Sequence, residues 1–149
     1  MKGTALVTGG ARRVGEAIVR ALHAEGWRLL VHCHRSREDG ERLVAALNAL
    51  RRDSAVLVPG NLAESGDLDN VIAGTRELAP DLSLLVSNAA AFFPTPIADA
   101  TPAQWDALVN GNLRAPFFLA QGLHRLLASN AGSIVNIASI VGLRAAGQL

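Results

Sequence analysis

Cysteine is nearly missing from this chain. Cys33 is the only one, so no internal disulfide is possible and a reducing, cytoplasmic setting is expected. Long apolar runs are missing too. None approaches the ~20 residues of a membrane-crossing helix, so no membrane partner is expected. Met1-Lys2-Gly3 leads directly into an apolar run, without the core of a signal peptide. Neither sign of charge is in excess: 14 Lys and Arg stand against 13 Asp and Glu, for a net charge of +1. That balance lacks the basic stripe of a dedicated nucleic-acid binder, and no nucleic-acid partner is expected. The four histidines have no carboxylate or cysteine cluster beside them, and a metal site is rejected. Tyrosine is absent altogether, which is unusual at this length.

What is present is a regular alternation. At 149 residues one domain over residues 1–149 is expected, large enough to bury roughly 68–70% of its unfolded surface. Short apolar runs at Thr4–Val7, Trp27–Cys33, Ala55–Val58, Asp81–Ser87 and Gly132–Ala138 read as strands, several of them covered on both faces. Between them lie helical patterns. The first starts near Val14, with Val14, Ala17, Ile18, Ala21 and Leu22 as its inner face, and ends at Gly26. A second follows Ser36, with Leu43, Ala46, Leu47 and Leu50 inward. A third is capped by Ser65, runs through Leu68, Val71, Ile72 and Leu78, and stops at Pro80. Thr101-Pro102 starts a fourth, carrying Trp105, Leu108, Val109 and Leu113. Pro116 should kink or divide it before Phe117, Ala120, Leu123 and Leu127 continue the pattern. Strands alternating with helices predict an α/β fold, a Rossmann-type doubly wound parallel sheet, incomplete at its C-terminal side.

The turn Thr8-Gly9-Gly10-Ala11-Arg12-Arg13-Val14-Gly15 joins the first strand to the first helix. Its glycines allow close backbone approach, and the amides and dipole of the helix start favour an anion such as a dinucleotide pyrophosphate. The spacing departs from G-x-G-x-x-G, with Arg13 where a further glycine is expected. The second strand ends in His34-Arg35-Ser36, with no carboxylate before Glu38 to accept from a ribose 2′-hydroxyl. A guanidinium and a hydroxyl suit a 2′-phosphate instead, so NADP is favoured over NAD. Of the alternating His32 and His34, one ring is expected to be packed and the other to face the cofactor.

Four features together carry a resemblance. Thr8-Gly9-x-x-x-x-x-Gly15, Ser87-Asn88-Ala89-Ala90, Asn112 and Ile134-Val135-Asn136-Ile137-Ala138-Ser139 occur in the order and spacing of the short-chain dehydrogenases/reductases. Within that family the chain looks most like the pteridine reductase branch, on Arg12-Arg13-Val14-Gly15, His34-Arg35-Ser36, Phe92-Phe93-Pro94-Thr95-Pro96 and Asn112-Leu113-Arg114-Ala115-Pro116-Phe117.

The resemblance implies an NADPH-dependent oxidoreductase reducing a C=N or C=O bond of a small molecule, a dihydropterin or another carbonyl compound. It implies cofactor contacts from Thr8, Gly9, Arg13, Val14, Gly15, His34, Arg35, Ser36, Asn61, Leu62, Asn88, Ala89 and Ala90. Asn61 stands where the family places an Asp for the adenine amino group. Arg13, Phe92 and Ser139 are implied on the substrate side, Phe92 by stacking on a pterin, its alternative being a core or loop anchor. Ser139 is implied to hydrogen-bond the substrate oxygen, and Asn112 to hold a proton-relay water. Asn112 should in any case be buried and bonded, since it lies in an apolar helix.

The family's proton donor, the Tyr of a Tyr-x-x-x-Lys motif, has no counterpart, and Lys2 is the only lysine. The chain is therefore expected to be the N-terminal part of a longer reductase, a fragment without turnover of its own, whose exposed fifth strand and kinked helix promote association. A homotetramer or homodimer is implied for the full-length form. The alternatives are a ketone or 3-oxoacyl-thioester reductase of the same family, or a non-catalytic NADP-binding sensor.

Overall fold

Short runs rich in Val, Leu and Ala extend and pair, while the longer amphipathic stretches coil and cover them. The structure, a computed structural model, describes residues 2–139. The strands are β1 (Thr4–Val7), β2 (Arg28–Cys33), β3 (Ala55–Pro59), β4 (Leu82–Ser87) and β5 (Ser133–Asn136). The helices are α1 (Arg13–Ala24), α2 (Arg37–Leu50), α3 (Ser65–Leu78), α4 (Pro102–Val109) and α5 (Ala115–Ser129). A π-helical turn, Asn110–Arg114, joins α4 to α5.

All strand pairs are parallel, in the order β3-β2-β1-β4-β5. This is the doubly wound order, with its reversal point between β1 and β4. Val7 pairs with Val31 on one side and Val86 on the other, so β1 ends within two residues of both neighbours at the carboxyl edge. Alternation along the strands divides the core. Leu6, Leu30 and Leu85 pack with α3 and α5 side chains, while Ala5, Val7, Leu29 and Val31 pack with those of α1 and α2. At the edge of the described sheet, β5 is exposed along its length.

The helix faces depart from the predicted stripes. In α1 the buried residues are Gly15, Val19 and His23, and Val14 is 59% exposed. The reason is close packing at the turn: Gly15 must face Gly9, and this sets the rotation of the whole helix. In α2, Gly40, Leu43 and Leu47 are buried, and Ala46 and Leu50 face outward. In α3, Ser65 is the first helical residue rather than the cap.

Pro116 does mark an interruption. It sits in the first turn of α5, where its missing N–H interrupts nothing further, and the break takes the form of the π turn. Such a turn inserts one residue into the helical register. Downstream, Ala115, Leu119, Leu123 and Leu127 therefore face the core, leaving Phe117 60% exposed; in α4, before the turn, Trp105 is 68% exposed.

The predicted start at Thr101-Pro102 is a complete capping box. The Thr101 hydroxyl accepts from the Gln104 amide, and the Gln104 side chain accepts from the Thr101 amide. Thr101→Ala is expected to cost about 1 kcal/mol, visible as a lowered midpoint in urea unfolding; an unchanged midpoint would mean the box contributes nothing.

Candidate functional site

The carboxyl edge at the reversal point is held together by polar groups of the chain's first turn. The Thr8 hydroxyl accepts from the amides of Asn88 and Ala89, each at 2.9 Å. In return, the Asn88 side chain donates to the carbonyls of Thr8 (2.9 Å) and Gly9 (3.2 Å). The ends of β1 and β4 are thus locked to each other. Thr8, Gly9, Asn88 and Ala89, four of the implied cofactor residues, are brought together, with Asn88 serving the turn itself.

Two backbone positions explain the spacing of the motif. Gly9 has φ +61°, and Gly15 lies so close to Gly9 that a Cβ would run into the Gly9 carbonyl. Arg13, where a further glycine was expected from the sequence, has φ +51°. The position does adopt the left-handed conformation that suits glycine, and the arginine is held there under local strain.

The ring of His32 lies directly beneath the turn. His32 is 2% exposed; its Nδ1 accepts from the Gly9 amide at 3.1 Å, and its Nε2 faces the Gly60 carbonyl at 3.0 Å. These partners require a neutral ring with its proton on Nε2. Burial is the main cause that holds its pKa down to about 4; the Gly60 bond opposes this, and the charge of His34 adds to it. The His32 carbonyl also accepts from the Gly10 amide at 2.8 Å. His32 is therefore the packed ring of the expected pair, and His34 is exposed. The bridging role of His32 was not read from the sequence. The available signal was a histidine between apolar neighbours in a strand covered on both faces.

Beyond Gly60, the Asn61 side-chain oxygen accepts from the Ala63 amide at 3.2 Å, and the Asn61 amide donates to Asp67 at 2.8 Å. Asn61 thereby shapes the loop before α3. Leu62 is buried in the core, so its side chain supports this loop instead of lining an open site.

With the Gly9 and Gly10 amides held by His32, the donors left for an anion are those of the first turn of α1, which lack helical partners. The cations near them differ in commitment. Arg12 pairs with Asp39 at 3.4 Å, where Arg42 also bonds, and Arg37 pairs with Glu41. Arg13 and Arg35 are exposed. Ser36 is the N-cap of α2 without a side-chain cap bond, so its hydroxyl does not serve the helix. This donor set fits an anion with a second phosphate near the end of β2.

On the other side of β4, the Asn112 side chain clasps the loop: its oxygen accepts from the Ala91 amide and its nitrogen donates to the Ala91 carbonyl, each at 2.8 Å. Asn112 is bonded as expected but is exposed instead of buried, because the π turn carries it out to the loop. Ala90 is exposed beside it. Phe92 is 91% exposed, which removes the core-anchor alternative. Ser139 is exposed, three residues past the end of β5. Among the described residues no cluster of three metal-ligating side chains occurs, and no helix is long and apolar enough to cross a membrane.

The comparisons agree with this geometry. The model of the short chain dehydrogenase family matches residues 3–148. A Streptomyces violaceoruber protein named as ketoacyl reductase 2 of a granaticin polyketide synthase is 35% identical over 148 residues, covering 97% of this chain and 57% of its own. An uncharacterised oxidoreductase of Staphylococcus aureus is 29% identical over 139 residues, or 93% of this chain and 58% of its own. The crystal structure of FolM alternative dihydrofolate reductase 1 from Brucella suis, in complex with NADP, superposes with a TM-score of 0.88 at 30% identity, over 97% of this chain and 60% of that one. The chain thus spans somewhat under two thirds of the relatives it matches. With the doubly wound order, the glycine turn packed against β4 and the family match along nearly all its length, this chain belongs to the short chain dehydrogenase family.

Proposed function

We propose that this chain is the NADP(H)-binding part of a short-chain reductase. The observation that carries the reading is the turn after β1, which lies at the sheet's reversal point beside β2, after whose end Arg35 is exposed and the Ser36 hydroxyl makes no cap bond. The NADP in the Brucella suis relative supports the same choice. In this reading Arg13, Val14 and Gly15 present helix-start amides to the pyrophosphate, and His34, Arg35 and Ser36 meet the 2′-phosphate. Asn61 and the main chain at Leu62 border the adenine, and Ala89 and Ala90 lie along the nicotinamide side. Bound NADPH would supply the hydride. The chain's own residues orient the reacting pair: Ser139 toward the substrate oxygen, Phe92 against the substrate ring, Arg13 toward its polar edge. Asn112 fixes the loop between them.

The substrate favoured is a dihydropterin-type C=N compound, on the Arg13, Phe92 and His34-Arg35-Ser36 resemblance and on the dihydrofolate reductase relative. A ketone or oxoacyl-thioester substrate is the second reading. It rests on Ser139, a hydroxyl suited to a carbonyl oxygen, and on the ketoacyl reductase relative. A reductase at work in the cytoplasm, as a homodimer or homotetramer, follows from the same reading. Because the 149 residues contain no tyrosine, turnover by this chain alone is expected to be negligible; steady reduction of a dihydropterin or a ketone by it would overturn that.

Arg35→Ala tests the cofactor. Titration calorimetry with NADP+ and NAD+ should show NADP+ affinity falling about tenfold or more while NAD+ affinity stays level, since one charged hydrogen-bonding partner of the 2′-phosphate is removed. Equal losses for both nucleotides would reject the assignment.

A further inference from the structure

We infer that His32 is a positioning residue of the nucleotide site: its imidazole ties the turn after β1 to the loop after β3 and so sets the spacing of the two walls. The inference deepens the proposed NADP reading and rests on it for the identity of the nucleotide. The geometry is specific. A single side chain, 2% exposed, contacts Gly9 on one wall through Nδ1 and Gly60 on the other through Nε2, at 3.1 and 3.0 Å. Gly9 is a left-handed residue of the phosphate turn, and Gly60 directly precedes Asn61, whose amide and side chain shape the adenine-side loop. Gly60 is also anchored to β2 by main chain, its amide donating to the Cys33 carbonyl at 3.0 Å. Both walls are thus referred to the end of β2, one strand in from either.

A rigid two-nitrogen ring suits this task better than most side chains. It accepts on one edge and donates on the other at a fixed separation, and it fills the space between without a net charge. An aliphatic residue in its place would leave the Gly9 amide and the Gly60 carbonyl without the partners the ring supplies. Asparagine retains an acceptor near the Nδ1 position and should keep the Gly9 bond.

The test uses the full chain, with His32→Leu and His32→Asn. The readouts are ring-nitrogen shifts, amide exchange at Gly9, and NADP+ affinity by calorimetry. Expected are an Nε2-protonated ring and a protected Gly9 amide in the parent chain. In His32→Leu, Gly9 protection should be lost and NADP+ affinity should fall about tenfold, as follows from a turn that loses the bond holding it in place. His32→Asn should restore both to within about threefold. A purely space-filling histidine would not be rescued by the smaller asparagine. Unchanged Gly9 protection and affinity in His32→Leu would overturn the inference. So would an Nδ1-protonated ring in the parent chain, a result that needs no variant to fold. If the parent chain does not bind NADP+, the cofactor reading fails, and Gly9 exchange alone decides whether His32 holds the turn.

Discussion

Gly15→Ala is expected to cost about 3 kcal/mol of stability and to weaken NADP+ binding on the order of 100-fold. The added Cβ would fall on the Gly9 carbonyl, 2.8 Å from the Gly9 carbonyl carbon and 2.7 Å from the Asn88 side-chain nitrogen. None of these atoms can step aside freely. The Gly9 amide is held by His32, and the Asn88 side chain is bonded to Thr8 and Gly9. Relief therefore requires α1 to lift from β1, which moves its first-turn amides out of the geometry proposed for the nucleotide. Gly74→Ala is the control. Gly74 lies in α3 with no atom within 4 Å of an added Cβ, so alanine there should stabilise the helix by about 0.5–1 kcal/mol. Urea unfolding and nucleotide titration of both variants separate the effects. Parent-like binding by Gly15→Ala would mean that the turn does not hold this close approach.

Acidification from neutral pH should destabilise the fold through a buried imidazole. The His32 ring, neutral by virtue of its burial, titrates at about 4 in the folded chain, against roughly 6.5 when unfolded. As pH falls, the unfolded chain takes up this proton first. The stabilisation is complete above about pH 6.5 and is lost progressively down to about pH 4, amounting to about 3 kcal/mol in all. His23 acts in the same direction, lowered first by burial and then by the charge of Arg51; it is bonded to Ser54 at 2.8 Å. The expected record is a urea midpoint that falls steadily between pH 6.5 and 4, and a much flatter one in His32→Asn. A parent midpoint constant over that window would contradict the buried neutral ring.

Much of the architecture was legible along the chain, because local signals and burial agreed there. β1 falls where Thr4-Ala5-Leu6-Val7 predicted it, and Thr101-Pro102 opens α4 with the capping chemistry its residues imply. The glycine turn and the parallel alternation pointed to the family that the match over residues 3–148 establishes. The helix faces were less legible. Periodicity marks a stripe only to within a residue or so, and α1 and α5 are rotated by events at their starts, the Gly15 approach and the π turn.

The sequence by itself determined the order of elements, the position of the glycine turn and the arginine-bearing segment after β2, since each depends on residues adjacent in the chain. Only the tertiary structure decided what those residues touch. Asn88 and Thr8, eighty positions apart, close on each other. Asn112 reaches across to Ala91, and His32 joins Gly9 to Gly60. The physical reason is that a polar group takes whichever partner packing brings within about 3 Å. In a parallel sheet that partner comes from a neighbouring strand whose distance along the chain is set by a crossover, not by any local pattern.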